Sequence, residues 1–492
     1  MEYKNDSVWN IAGNHYVVNG EIVPFSLAEA CKKDPDEIRG KLKDFEEQNK
    51  YTAFESIIDL FVKANKKRCD DITAEATEYI RTLADGYSPT EMYVSFSGGK
   101  DSTVTSSLVM RALGTEEILH IYGNTTLEFP STLEYIKLFR KEHRKTPLIT
   151  AENKDKDFYS LCEQLGPPSR VMRWCCTIFK TGAIQRKIHS MFKRNKRVLT
   201  FYGIRRSESN TRNKYDRESD GAKIAVQKTV SPIIDWYDFD IWLYLLSNKI
   251  SFNKAYTLGY SRVGCWCCPN NSRWSGFLSS IFMPEEHKRF NDFLLDFSRK
   301  IGKPDPEVYV AEGKWKARQG GNGLAYAQTS VLTFEPCALL EDTINFEMQK
   351  PITDELYELF KPFGSINASI GNARLGEVFV TDKDNKLLLK LTGRKGSNTL
   401  KVSILDKNAG HCTNKKAVEE KVKCQITKYQ MCMGCLACES ICIKDAITIK
   451  TDNSGLLSYV INDDKCIRCG ECINHFNGGC YMRKVMTIKR EN

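Results

Sequence analysis

Two cysteine runs constrain the fold of this chain more than any other feature. Cys432, Cys435, Cys438 and Cys442 are spaced C-x2-C-x2-C-x3-C, and Cys466, Cys469, Cys472 and Cys480 repeat the first three spacings with a longer last gap. Two-residue gaps let three thiolates reach one iron-sulfur cubane from a tight loop. Nineteen cysteines in 492 residues are unusual for a reducing compartment, where structural disulfides are disfavoured and metal ligation is the common explanation. Paired zinc knuckles are the competing reading. They fit less well, because zinc sites close with four ligands in two pairs, whereas these eight cysteines fall into two triplets plus two singles.

Over about residues 423–492 the chain resembles bacterial ferredoxins. Each half runs from cysteine run to short helix to hydrophobic strand, with Ala446-Ile447-Thr448-Ile449 following the first run. In two-cluster ferredoxins the last Cys of each run ligates the other cluster. The resemblance therefore implies one 4Fe-4S cluster on Cys432, Cys435, Cys438 and Cys480, and a second on Cys466, Cys469, Cys472 and Cys442. Ile443 stands where the family usually has proline, and the gap before Cys480 carries an Asn477-Gly478-Gly479 turn. Neither departure removes a ligand.

A second feature lies far upstream. Met92 to Phe96 read as a short buried strand that runs into Ser97-Gly98-Gly99-Lys100-Asp101-Ser102, followed by the helix-compatible TVTSSLVMRAL. Strand, glycine loop and helix together make a phosphate cradle: glycines let backbone N–H groups approach an anion, and the helix N-terminus adds unpaired donors and a favourable dipole. The spacing is not that of a Walker A loop, GxxxxGK followed by Ser or Thr. Ile118 to Tyr122, Pro147 to Ala151 and Val198 to Tyr202 read as further short strands alternating with helices. The expected fold is α/β, a parallel sheet with crossover helices, with the loop at a strand's C-terminal end where such sheets bind ligands.

SGGKDS in this setting resembles the pyrophosphate loop of the adenine nucleotide alpha hydrolase group. From about residue 88 to 275 the chain is similar to the phosphoadenylylsulfate (PAPS) and adenylylsulfate reductases of that group. Asn124-Thr125-Thr126-Leu127-Glu128-Phe129-Pro130 matches their aspartate-threonine-glycine stretch loosely, and Gly203-Ile204-Arg205-Arg206-Ser207-Glu208-Ser209 with Arg212 looks like their glycine-x-arginine substrate loop. A bland basic surface loop is the alternative there. Pro232 to Tyr260, with Trp236, Trp242 and Asn253, resembles the stretch that leads into the family's second cysteine pair. The tandem Cys175-Cys176 and the pair Cys265 and Cys268 resemble the CC and CxxC set that ligates a 4Fe-4S cluster in adenylylsulfate reductases, and Lys180 matches a lysine near cluster and substrate. The resemblance implies three clusters in all, an adenine nucleotide held by Ser97, Gly98, Gly99, Lys100, Asp101 and Ser102, and anionic substrate bound by Lys180 and Arg205. Cys267 interrupts the second pair and leaves buried free cysteines or zinc as the other reading of those thiols.

The resemblance breaks at the nucleophile. Sulfonucleotide reductases attack sulfur with a C-terminal cysteine in a glutamate-cysteine-glycine-x-histidine motif, which is missing from this sequence; Gly410-His411-Cys412 comes closest, and Cys267 is the other candidate thiol. The catalytic residue stays unassigned. An appended ferredoxin passing one electron per cluster would suit the two-electron reduction of a sulfate ester to sulfite in reductive sulfur metabolism. The same parts suit ATP-dependent sulfur transfer to tRNA or DNA, or a noncatalytic electron-transfer module. The implied partners are an adenine nucleotide and an electron donor, with nucleic acid under the second reading.

Composition adds bounds. A formal net charge of +10, from 72 basic and 62 acidic residues, is compatible with nucleotides, sulfate esters or nucleic acid and does not choose among them. The basic cluster Lys193, Arg194, Lys196 and Arg197 reads as a solvated face. No stretch approaches the roughly 18–20 apolar residues needed to cross a bilayer, and the start lacks a signal-peptide pattern, so a cytoplasmic location is expected. Five segments are expected: an N-terminal helical lobe (1–85), the loop domain (86–275), a helical extension and linker (276–325), a small α+β domain (326–422) and the ferredoxin (423–492).

Overall fold

The computed structural model describes residues 8–11, 15–23, 26–48, 52–154, 156–170, 172–192, 198–210, 212–220, 227–317, 331–432, 437–451, 457–474, 480 and 487–490. The basic cluster at 193–197, the glycine-rich linker at 319–323, Cys435 and the turn at 477–479 lie outside the described residues. The chain forms two compact units, residues 1–151 with 191–292 and residues 152–190 with 293–492.

The first unit begins with a small antiparallel sheet of β1 (Val8–Ile11), β2 (His15–Val18) and β3 (Glu21–Val23). Helices Pro35–Gln48, Thr52–Ala64 and Lys66–Ala84 follow. Its main sheet holds β4 (Met92–Phe96), β5 (Leu119–Asn124), β6 (Leu148–Glu152), β7 (Val198–Tyr202), β8 (Glu218–Asp220) and β9 (Gln227–Val230), in the order β6-β5-β4-β7-β9-β8. β4 pairs in parallel with both β5 and β7, and β7 in parallel with β9; β8 adds an antiparallel edge. Four of the five β4 residues are buried, as suits a central parallel strand covered on both faces.

Helix Lys66–Ala84 supplies Cys69, Ala76, Ile80 and Ala84 to the main core, at spacings that keep one helical face inward. They join Val104, Leu108 and Val109 of helix Lys100–Leu113 and Leu199 and Phe201 of β7. Each fully buried aliphatic side chain here contributes about 1.5–3 kcal/mol, which fixes the loop helix against the sheet. Strand order reverses at β4, since β5 and β6 lie to one side and β7 and β9 to the other. The connections leaving β4 and β7 therefore flank the crevice where parallel sheets bind ligands.

The second unit holds a seven-stranded sheet. β10 (Val331–Pro336), β11 (Thr343–Glu347), β12 (Ser365–Asn367), β13 (Glu377–Thr381), β14 (Leu387–Thr392) and β15 (Thr399–Ile404) pair antiparallel. Helix Lys415–Met431 then leads into the cysteine runs, where β16 (Ile447–Thr451) and β17 (Leu457–Ile461) form an antiparallel pair. β18 (Thr487–Arg490) pairs in parallel with β10, giving the order β12-β13-β14-β15-β11-β10-β18. The ferredoxin-type segment is thus inserted between two strands of one sheet, and the 422/423 boundary falls inside helix Lys415–Met431. Among the described residues no helix is long and apolar enough to cross a membrane.

Candidate functional site

At the end of β4 the chain turns through Ser97, Gly98 and Gly99 and enters helix Lys100–Leu113 directly. Gly98 has φ +71°, and a Cβ there would lie 3.1 Å from Thr132 Cγ2, so both conformation and space call for glycine. Ser102 closes the loop, its Oγ accepting the Ser97 N–H at 3.2 Å and donating to the Gly99 carbonyl at 2.9 Å. Buried Asn253 donates to the Gly98 carbonyl at 3.3 Å and to Thr132 Oγ1 at 2.9 Å. The Tyr256 hydroxyl accepts the Lys100 N–H at 3.0 Å. Burial holds the Tyr256 phenol well above its ordinary pKa; the Lys100 amide opposes this and the charges of Asp101 and Asp238 add to it.

Lys100 and Arg205 bring two cations to this turn, at 5% and 4% exposure. Arg205 comes from the connection after β7, where Gly203 lies so close to the loop helix that an added Cβ would sit 2.6 Å from the Asp101 carbonyl carbon. Arg205 Nε donates to the Asp101 carboxylate and Nη2 to Asp238 Oδ1 at 3.1 Å. Lys100 Nζ lies 3.1 Å from the same Asp238 oxygen and donates to the Ser261 carbonyl at 3.2 Å. Burial works against the guanidinium charge, but Asp101, Asp238 and Glu208 more than offset it and raise its pKa. Arg206 pairs with Asp235 and Arg212 with Glu208, so these neighbours are engaged in ion pairs of their own.

The Gly264-Cys265-Trp266-Cys267-Cys268 turn is fastened to the segment after β5. Cys265 forms a β-bridge with Glu128, and the Trp266 N–H donates to the Leu127 carbonyl at 3.0 Å. Thr125 Oγ1 lies 3.3 Å from Cys265 Sγ, while Glu128 accepts from both the Thr125 N–H and its hydroxyl. Cys265 and Cys268 are half-buried and Cys267 is buried. Cys175, Cys176 and Lys180 belong to the second unit. There Cys176–Thr181 winds as a π-helix, a geometry frequent at functional sites. Both cysteines are half-buried, and Lys180 is exposed.

In the ferredoxin-type segment, Cys442, Cys466, Cys469 and Cys472 line one recess of about 370 Å³, counting space open to solvent, walled by Ile443, Ile447, Ile461 and Ile467. This is the set that the crossed-ligand pattern implies. The Ala446 N–H points at Cys442 Sγ at 3.2 Å. Burial first, with neighbouring Cys438, Cys442 and Cys466 adding and Lys428 opposing, pushes the Cys472 thiol up to about 12. On the side of the other set, burial first, then the charges of Cys438 and Cys472 and a hydrogen bond with the Cys438 side chain, hold the fully buried Tyr459 phenol well above its ordinary pKa. Cys442, Cys466, Cys469 and Cys472 together fit one cluster; Cys435 of the other set lies outside the described residues.

Comparison with known proteins bears on both regions. Residues 91–271 match the phosphoadenosine phosphosulfate reductase domain, and residues 431–475 match the 4Fe-4S dicluster domain. The chain carries a PAPS reductase domain and a 4Fe-4S dicluster domain. Two uncharacterised proteins of Methanocaldococcus jannaschii are 29% and 30% identical to it over 278 and 277 residues. Each match takes in 56% of this chain, with 64% of one relative and 55% of the other, so the chain spans less than two thirds of their length. The adenosine 5'-phosphosulfate reductase of Anoxybacillus flavithermus is 25% identical over 207 residues, 39% of this chain and 82% of that protein. Among solved structures, the PAPS reductase of Candida auris in a phosphate complex is 14% identical and covers 39% of this chain and 95% of its own, with a TM-score of 0.29.

Within the PAPS reductase domain, sequence reasoning located the loop and Arg205, which the structure brings together. It missed Asp101 and Asp238 as partners of Arg205, and Tyr256 as the group on the loop's first helical N–H. The signal for Asp238 was faint, an acidic residue opening helix Asp238–Ser247; Tyr256 offered none, because its role depends on a contact 156 residues away. Both candidate thiols, Cys267 and Cys412, are 7% exposed, an environment in which thiols are ordinarily inert.

Proposed function

We propose that this chain is an iron-sulfur enzyme that binds an adenine nucleotide, adenylylsulfate, phosphoadenylylsulfate or ATP, at the Ser97–Ser102 turn and reduces a sulfonucleotide to sulfite. One observation carries the reading: the buried cations Lys100 and Arg205 converge on the phosphate turn at the strand-order switch, in a domain of the PAPS reductase type. In the free protein both cations share Asp238, whose side chain is 59% exposed. A phosphate oxygen arriving there displaces the one carboxylate that can swing into water, while Asp101 keeps Arg205 aimed. Lys180 is assigned to the anionic end of the substrate by resemblance.

Cleavage of adenylylsulfate to AMP and sulfite breaks the sulfur–oxygen bond, leaves its electron pair on the phosphate and consumes two further electrons at sulfur. A dicluster segment supplies two one-electron carriers when loaded. The ligands we assign are Cys432, Cys435, Cys438 and Cys480 for one cluster and Cys442, Cys466, Cys469 and Cys472 for the other. Cys175, Cys176, Cys265 and Cys268 are assigned to a third. No protein nucleophile is needed in this reading.

Anaerobic protein given each nucleotide with reduced viologen releases sulfite from one of the two sulfonucleotides. Conversion of ATP to AMP and pyrophosphate only in the presence of added tRNA or DNA would replace the proposal with sulfur transfer. Inertness toward all three nucleotides would leave an electron-transfer module.

A further inference from the structure

The hydroxyl of Tyr256 is half spent. Tyr256 ends the short helical turn Lys254–Tyr256, which Asn253 caps by accepting the Ala255 N–H at 2.9 Å. The amide of the same Asn253 holds the Gly98 carbonyl, so the segment that carries the phenol is fastened to the loop it faces. Trp242 packs edge-on against the phenol ring, with centroids 5.4 Å apart, and Lys100 Nζ lies 5.0 Å from the ring centroid. These contacts fix the ring with its oxygen 3.0 Å from the Lys100 nitrogen. An added Cβ on Gly99 would lie 3.2 Å from that oxygen, so the phenol reaches into the phosphate turn itself.

A phenol has one hydrogen to give and can also accept. Tyr256 accepts from the first N–H of helix Lys100–Leu113, one of the unpaired donors that a helix start offers to an anion. Among the described residues none accepts the hydroxyl hydrogen. Burial first, opposed by the Lys100 amide, and then the charges of Asp101 and Asp238 keep the phenol above its ordinary pKa, so that hydrogen stays on the oxygen. A polar hydrogen withdrawn from water calls for an acceptor, and the phosphate oxygens of a ligand at this turn are acceptors. Accepting one hydrogen bond strengthens the next in the chain.

We propose that Tyr256 is a nucleotide-binding residue: its hydroxyl takes the Lys100 N–H and donates its own hydrogen to a phosphate oxygen, so that the turn selects phosphorylated adenosine over adenosine. This rests on the reading that an adenine nucleotide binds at Ser97–Ser102. The opposite role is that of a plug. A phenol that merely filled the empty turn would have to leave before phosphate entered, and removing its oxygen would then tighten binding.

The test uses the full chain, purified anaerobically, as wild type, Tyr256→Phe and Trp242→Phe, with AMP, inorganic pyrophosphate and adenosine titrated calorimetrically. Tyr256→Phe keeps the ring and loses only the oxygen. It should bind AMP and pyrophosphate about tenfold more weakly, the loss of one hydrogen bond to a charged group, and should treat adenosine as wild type does. Trp242→Phe loosens the ring but keeps the hydroxyl, and should hold AMP nearly as wild type does. AMP bound by Tyr256→Phe as tightly as by wild type, or more tightly, would overturn the proposal, as would equal losses for AMP and adenosine, equal losses in both variants, or a Tyr256→Phe chain that does not fold. Sulfite release is scored on its own: wild type that binds AMP and yields no sulfite from either sulfonucleotide refutes the proposed reaction and leaves the titrations to decide Tyr256, whereas wild type that binds neither AMP nor pyrophosphate refutes both.

Discussion

Replacing Gly203 by alanine tests how the two connections of the PAPS reductase domain share one crevice. An added Cβ would meet the Asp101 carbonyl carbon at 2.6 Å and the Ser102 nitrogen at 2.7 Å, whereas ordinary contact begins at 3.4 Å. The obstacle is backbone, so it cannot rotate away; either the β7 connection or the loop helix must retreat by about 0.8 Å. Overpacking of this kind costs about 1–3 kcal/mol in stability. The displacement falls on the peptide that positions Arg205 and the phosphate turn together, and a misplacement near 1 Å can cost about a hundredfold in rate. Calorimetric titration with adenine nucleotide should therefore show affinity reduced at least tenfold, and sulfite release should fall with it. Gly276→Ala, inside helix Arg273–Phe282 with nothing within 4 Å of its added Cβ, is the control and should be neutral or slightly stabilising. A Gly203→Ala protein with wild-type melting temperature and nucleotide affinity within twofold would refute the reasoning.

Three further outcomes follow from the same geometry. Arg205→Lys removes the forked contact with Asp101 and Asp238 and should weaken nucleotide binding about ten- to a hundredfold; a dissociation constant within threefold of wild type would show that the guanidinium does not order the site. Cys268→Ala should lower anaerobic iron content from about twelve to about eight per chain while Cys267→Ala leaves it unchanged, and the reverse pattern would exchange their roles. His120 is completely buried, with Nδ1 2.8 Å from the Ile118 carbonyl and Nε2 2.7 Å from Ser106 Oγ, and burial lowers its pKa from 6.5 to about 4. The unfolded chain takes up this proton near pH 6.5 and the folded one only near 4, so about 3 kcal/mol of stability is present above that window and lost as pH falls through it. Denaturant titrations from pH 7 to 4 should show this slope in wild type and not in His120→Gln, and equal slopes would contradict the burial argument.

The parts legible in the sequence are those written in local spacing. The strand before Ser97 is apolar at four of its five positions, so β4 and its loop stand out, and the strand expected at 198–202 appears within those bounds as β7. Cys442, Cys466, Cys469 and Cys472, which the crossed spacing groups together, line one recess. The parts that were not legible depend on distant encounters. The pairing of Thr487–Arg490 with Val331–Phe334 joins four-residue stretches more than 150 positions apart, and no periodicity records such a partner. Asp238 reads as a helix-start acid until the fold sets it between Lys100 and Arg205. The π-helical winding after Cys175 is likewise invisible, because it differs from an ordinary helix by one residue per turn of hydrogen bonding.

The return of β18 to β10 changes how the metal-bearing segment behaves as a carrier. A module hung on a single flexible string samples a wide volume and spends little time at any one docking position. Here both flanks are clamped, by helix Lys415–Met431 on entry and by β18 on exit, so the segment is held to its own sheet from two sides. Shortening the polypeptide after residue 480 would keep every described cysteine and yet release one clamp, turning a mounted carrier into a swinging one.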